Sequence, residues 1–490
     1  MKLEALSNVK KFLFDNTTVR QTISKNYFWL IAGAGINKLL KMVLIIYAAR
    51  ILGVTEYGKF SFALAFVSLF IVFHDFGLPA TITREFAREK EKEKEFYSVL
   101  SFTALLAVVA LTLILSGSFF ITQDPGIRII ILILALFSLI NGFAVVFYAF
   151  FQARQRMEYQ MWAETLQSIL VVGMGLFVLF KMPSVENFSY SYLFAAIISF
   201  IFVLFFFNFK IFPLRICWEK SVWKKFFIMA LPLGLAGSFG SLYSYTDSVI
   251  MGYLGMINET GWYNAAYRIS FTAFIFIGLI SSSFYPVLSE NFRKSKEMLQ
   301  KVWNYEIEII IILVFLFVTG GIVLASKIIN FAYGPAFFPS ILAFQILIVT
   351  TGITLFYTTL KDLLIVANLQ KKFFIAIAAG AIINIILNLI LIPRYSLYGS
   401  AVATTITHSL ILITLAIFIL KYTSIRLSIR KVGLTALISL ISSFAMYFII
   451  SRPEIYNLNV FISIIIGAAI YFLAFFSLRY SFKKLLLCLN

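Results

Sequence analysis

The chain has 490 residues, of which 61% are hydrophobic, 17% aromatic and only 13% charged. Such a composition excludes a soluble globular enzyme and a disordered tail, and its long uncharged runs read as an all-α integral membrane protein. The formal charge of +19 suggests a nucleic-acid partner at first sight, but the placement of the 41 Lys and Arg residues explains it as membrane topology, and no nucleic-acid partner is expected.

Residues 1–25 carry Lys2, Lys10, Lys11, Arg20 and Lys25 and are too polar for a signal peptide. The apolar segment that follows is too long, holds lysines and lacks a small-residue cleavage site, so it is expected to stay as the first helix. Residues 1–25 also suit a short helix lying on the membrane interface. Runs of about 20 apolar residues place spans at roughly 27–49, 58–78, 97–121, 128–151, 160–180, 188–209, 226–251 and 263–285. Six more follow at roughly 306–325, 340–360, 373–393, 399–420, 431–450 and 459–478, which makes about 14 transmembrane helices. With the N-terminus cytoplasmic, most cations fall inside: those of the tail, Arg84 to Lys94, Arg154 and Arg156, Lys210 to Lys225, Arg293 to Lys301, Lys371 and Lys372, Lys421 to Lys431, and Arg479, Lys483 and Lys484. Arg50, Lys59, Arg128, Lys181, Lys327, Arg394 and Arg452 fall outside. Both termini are therefore expected in the cytoplasm, where Cys217 and Cys488 stay reduced and form no metal or redox motif.

Lys38 and Lys41 lie inside the first span, and an ammonium near the bilayer centre costs about 2.5–3.5 kcal/mol even on insertion scales. Residues at i and i+3 share a helix face, so the two point to one cavity with an anionic substrate as their charge partner. By helix rise Lys38 sits about 16 Å from the inner edge of a ~30 Å core, close to the middle, and Lys41 nearer the outside. In the connection after the second span, Arg84, Arg88, Lys90, Lys92 and Lys94 alternate with glutamates as on a solvated helical surface that also suits anionic headgroups.

The seventh span contains Pro232, Gly234, Gly237 and Gly240, which predict a bend, and the first has Gly33 and Gly35 in the corresponding region. Leu52-Gly53 with Gly58-Lys59-Phe60 after helix 1 is echoed by Leu254-Gly255 with Gly261-Trp262-Tyr263 after helix 7. A repeat of six helices in the same orientation predicts two pseudo-symmetric six-helix lobes, 1–210 and 211–421, and a C-terminal helix hairpin, 422–490. The run from Gly53 to Lys59 nearly spells a P-loop, but Phe60 stands where Ser or Thr would hold magnesium and no strand precedes it, so the glycines are assigned to the turn. No cofactor and no metal is expected.

Ala49-Arg50-Ile51-Leu52-Gly53 with Tyr57-Gly58, Asp75-Phe76-Gly77-Leu78 with Arg84-Glu85, and Asp247 ahead of the run from Gly261 to Arg268 form an ordered set. Tyr333-Gly334, Ile392-Pro393 and Gly399-Ser400-Ala401 complete it. On these residues the chain resembles the polysaccharide or O-antigen flippase family of the multidrug/oligosaccharidyl-lipid/polysaccharide exporter superfamily. The resemblance implies a flippase that moves a polyprenyl diphosphate-linked oligosaccharide from the cytoplasmic to the external leaflet of the cell membrane, by alternating access around a cationic central cavity. A monomer among membrane lipids is expected.

Arg268, about 8 Å deep from the outer end of the eighth span, would add a guanidinium to Lys38 and Lys41 in holding the diphosphate. Asp75 and Asp247 are candidates for charge compensation or for binding a coupling proton or sodium ion. Lys361, beside Asp362, reads as an interfacial charge, and Asn37, Asn141, Asn384 and Asn388, near mid-span, as amides that contact sugar hydroxyls or join helices, packing being the reading for most of them. The alternative is a multidrug or other amphiphile exporter of the same superfamily, though those exporters typically have twelve helices. A membrane glycosyltransferase or glycan polymerase is the alternative of another class. Against it, every external loop is short and His74 and His408 are isolated, so an enzyme is not expected.

Overall fold

The computed structural model describes the backbone of residues 19–88, 93–211, 213, 215 and 217–488. Side chains are described within 35–482, except at 36, 89–94, 210, 212, 214, 216, 236, 273–279, 282 and 293. Lys2, Lys10, Lys11, Lys90 and Lys92 of the topology reading thus lie outside the described residues, as do the side chains of Arg20, Lys25, Lys94, Lys210, Arg293, Lys483, Lys484 and Cys488. Among the described residues every regular element is a helix. Among the described residues ten helices are long and apolar enough to cross a membrane, eleven with the bent helix 220–253. The total of about 14 from the sequence counts separately the two limbs of helices 19–70 and 370–422, each broken at one non-helical residue, and the interrupted segment 257–294.

The chain forms two compact units, Met1–Ile257 and Asn258–Asn490. The first holds α1 (Val19–Phe70), α2 (Val72–Asp75), α3 (Leu78–Arg88), α4 (Glu93–Ile121), α5 (Pro125–Ala153), α6 (Met157–Lys181), α7 (Val185–Lys210) and α8 (Lys220–Tyr253). Helix α1 turns at Gly53, whose φ of 80° lies in the left-handed region that a Cβ disfavours. The Asp124 side chain caps α5 by accepting from the Gly126 N–H at 2.8 Å, with Pro125 at the first helical position. Ser184 caps α7 in the same way through the Asn187 N–H at 3.1 Å.

Phenylalanines account for much of the packing in this unit. Phe86, Phe96, Phe150 and Phe207 interlock α3, α4, α5 and α7, with the Phe96 and Phe150 ring centroids 4.6 Å apart. Lipid is as apolar as these rings, so close packing and ring geometry, rather than escape from water, hold the helices together. Rings turned outward, such as Phe205 and Phe209 on α7, are exposed as a lipid-facing surface requires.

Helix α8 bends by 42° between Lys220–Leu235 and Gly237–Tyr253, next to Pro232. It crosses the second break of the unit, where Phe76 and Gly77 take φ of 38° and 79°. At that crossing the backbones touch: a Cβ on Gly234 would lie 2.6 Å from the Phe76 carbonyl oxygen, and one on Gly77 2.7 Å from the Gly234 nitrogen.

The second unit holds α9 (Ile257–Ser270), a 3-10 turn (Phe271–Ala273), α10 (Phe274–Lys294), α11 (Lys296–Tyr333), α12 (Ser340–Val366), α13 (Gln370–Tyr422), α14 (Ile429–Ile450), α15 (Pro453–Tyr456) and α16 (Val460–Cys488). Helix α13 folds back at Ser396, three residues after Pro393. A Cβ on Gly399 would lie 2.3 Å from the Leu391 carbonyl oxygen, so only glycine allows that reversal. The terminal pair α14 and α16 packs on α11. Packing thus groups the helices differently from connectivity: α8 belongs with the first unit, and the terminal hairpin with the second.

Candidate functional site

In the first unit Lys38 and Lys41 stand one turn apart on α1, Lys38 exposed and Lys41 half-buried. Asn37 beside them is 6% exposed, and neither of its amide atoms has a hydrogen-bond partner among the described residues. Helix α6 packs against α1 and brings the Glu164 carboxylate into electrostatic range of Lys41. A polar seam runs along α6 from there. Gln160 Nε2 donates to Glu164 Oε1 at 2.8 Å, and Gln152 of α5 donates to Gln160 at 2.9 Å. One turn on, Gln167 donates to Asn141 of α5 at 2.5 Å. Residues 160, 164, 167 and 168 repeat every three or four positions, which puts them on one face of α6. That spacing was available as a signal, but sequence reasoning looked for counter-charges at Asp75 and Asp247 and did not consider Glu164.

The two candidate carboxylates of this unit are in different states. Asp75 ends α2 and its Oδ1 accepts the Gly77 N–H at 3.3 Å, so it buttresses the turn. Asp247 is on α8 and is 3% exposed. His74 is fully buried against the Phe143 ring, and a side chain at Gly142 would strike its imidazole.

Arg268 belongs to the second unit, half-buried near the end of α9. Deeper in that unit are two carboxylates that the sequence reading did not group, Glu306 at 1% and Asp362 at 3% exposure. Lys361 Nζ lies 3.2 Å from Asp362 Oδ1, and Ser281 Oγ of α10 donates to the other Asp362 oxygen. Lys361, partly exposed, is therefore ion-paired to its buried neighbour. The amides join helix limbs: Asn388 donates to Asn384 at 2.9 Å, and Asn384 donates to Thr407 across the α13 reversal at 3.4 Å. His408 Nδ1 is 2.6 Å from the Thr354 hydroxyl. Among the described residues no group of three or more His, Cys, Asp and Glu side chains is arranged to hold a metal ion.

Long apolar helices in two units, with lysines inside a span, define a multi-pass membrane protein. The family described as "Polysaccharide biosynthesis protein" matches residues 23–292, and the chain belongs to that family. It is 24% identical over 239 residues to Agl15 of Haloferax volcanii, described as a probable low-salt glycan biosynthesis flippase, covering 47% of this chain and 50% of that protein. It is 21% identical over 408 residues to the capsular polysaccharide biosynthesis protein CapF of Staphylococcus aureus, covering 80% of this chain and 97% of CapF. Among solved structures it superimposes on the lipid II flippase MurJ in an inward closed conformation with a TM-score of 0.77 and 17% identity, covering 93% of this chain and 99% of that one. An inward-facing multidrug resistance MATE transporter of the MOP superfamily gives 0.62 at 16% identity, covering 80% and 95%. The fold is that of this exporter superfamily.

Proposed function

We propose that the protein flips a lipid-linked oligosaccharide, with the glycan on a polyprenyl diphosphate, from the cytoplasmic to the external leaflet of the plasma membrane. In this reading both termini are cytoplasmic, the chain works as a monomer by alternating access, and it performs no chemistry on its substrate. Lys38 and Lys41 of the first unit and Arg268 of the second bind the anionic headgroup, as ammonium and guanidinium groups bind phosphate oxygens. Asp247 is proposed for charge compensation or for coupling to a proton or sodium ion, and Asp75 has the same role only if it releases the Gly77 N–H.

The observation that carries the reading is the lysine pair itself. An exposed ammonium and a half-buried one faced by Glu164, one turn apart on a spanning helix beside a buried amide in a chain of this family, support an anion that enters and leaves. Leaflet exchange of a short-glycan polyprenyl diphosphate in proteoliposomes tests it. Wild type should exceed protein-free vesicles, and Lys38→Gln should lower the rate about tenfold or more at unchanged reconstitution, the loss expected for one charge-assisted hydrogen bond. Undiminished exchange in the mutant would remove Lys38 from the site. Transport of a cationic drug under an ion gradient, with no glycan-lipid exchange, would make the multidrug alternative the correct one.

A further inference from the structure

The second unit contains an open cavity of about 690 Å³ lined by α11, α14 and α16. One face of α11 lines it with Glu297, Gln300, Lys301, Asn304, Tyr305 and Glu308, a polar stripe recurring every three or four residues. A helix of a membrane bundle normally turns small or apolar side chains toward its neighbours. Here the polar face is the one that looks toward α14 and α16. Helix α11 has 38 residues, about 57 Å at 1.5 Å per residue, against a ~30 Å hydrocarbon core. Its unbroken apolar run begins only at Ile309. The cavity is therefore at the depth of lipid headgroups.

Three cations from three helices meet there: Lys301, Lys431 and Arg479. Arg479 is paired with Glu308 at 3.4 Å, whereas neither Lys301 nor Lys431 has a carboxylate within 4 Å among the described residues. Glu297 stands in the first turn of α11, where the helix dipole favours an anion. The wall is held in place: Asn304 Oδ1 accepts the Ser428 N–H at 2.9 Å, tying α11 to the start of α14, and Asn304 Nδ2 donates to the Gln300 carbonyl at 2.8 Å. Beyond the charges the lining turns apolar at Leu434 and Ile438 of α14. Paired ammonium groups at headgroup depth with an apolar wall behind them suit a molecule that is anionic at one end and aliphatic at the other.

We propose that this cavity is a binding site for the phosphate headgroup of a membrane amphiphile, held by Lys301 and Lys431 with its acyl chain against Leu434 and Ile438. Binding is read without transport, so the outcome is independent of the flippase reading. The test uses full-length protein in detergent, titrated with phosphatidylglycerol, phosphatidylcholine or inorganic phosphate and read by native mass spectrometry. The double variant K301Q/K431Q is compared with K220Q/K224Q, which removes the same charge from exposed positions of α8. Wild type and K220Q/K224Q should retain phosphatidylglycerol in preference to phosphatidylcholine, and K301Q/K431Q should bind it about tenfold or more weakly. Equal loss in both double variants would reduce the effect to general charge and overturn the site. Retention of inorganic phosphate with no preference for phosphatidylglycerol would overturn the amphiphile assignment in favour of a free anion.

Discussion

Gly234→Ala tests the crossing of α8 with the break at Phe76 and Gly77. The added methyl would stand 2.6 Å from the Phe76 carbonyl oxygen and 2.9 Å from its carbonyl carbon and Cδ1. Reaching an ordinary separation near 3.4 Å needs a movement of about 0.8 Å in backbone that is packed on both sides. Such overpacking costs typically 1–3 kcal/mol, and alanine returns about 0.5–1 kcal/mol of helix propensity, so a net loss of about 1–2 kcal/mol is expected. Gly240→Ala is the control, since it lies on the same helix with no heavy atom within 4 Å of the new methyl, and it should be neutral or stabilising. Gly77→Ala should lose more than Gly234→Ala, because its φ of 79° adds about 1–2 kcal/mol of left-handed strain to a clash with the Gly234 nitrogen at 2.7 Å. Thermal melts of the three variants in detergent give the order. The double variant should lose less than the sum, because both methyls enter one contact. If Gly234→Ala melts with Gly240→Ala, the two helices are not in backbone contact and the argument is wrong.

The Lys327→Met variant should release the turn between α14 and α16, because Lys327 Nζ donates to the Tyr456 and Leu458 carbonyls and to Ser463 Oγ. A loss of about 1–2 kcal/mol is expected, seen as faster hydrogen exchange and proteolysis over 453–459, whereas Lys327→Arg should retain most of the protection. Glu164→Gln should leave Lys41 without its facing charge and destabilise the first unit by about 1 kcal/mol. Adding Lys41→Gln should recover part of that loss. Additive effects in the double-mutant cycle would show that the two charges do not interact. Lys38→Gln in the exchange assay and K301Q/K431Q in lipid binding complete the set.

Local features were legible wherever a residue acts through its own backbone. Gly53 and Gly255, picked out as corresponding positions of a repeat, both have positive φ, at 80° and 76°. Pro232 foretold the bend of α8, and Asn141, Asn384 and Asn388 were read as packing amides and do hydrogen-bond between helices or along them. Partnerships at long range were not legible. Ser281 and Asp362 are 81 residues apart, and Asn304 and Ser428 are 124 apart, so no local spacing announces either pair. The stripe from Glu297 to Glu308 looks in sequence like a solvated helix start, and the cavity it lines exists because α14 and α16 fold over it.

The sequence alone determined that this chain is a helical membrane protein, where most of its spans run, and which cations stand inside them. These follow from apolar length and charge, which the bilayer judges one segment at a time. Tertiary structure decided which of the charged side chains are compensated. It set Glu164 toward Lys41, buried Glu306 and Asp362 beside Lys361, and left Lys301 and Lys431 facing a cavity with no carboxylate within 4 Å of either among the described residues. The worth of a charge depends on the distance and polarity of its neighbours, and those are properties of packing between helices far apart in the chain.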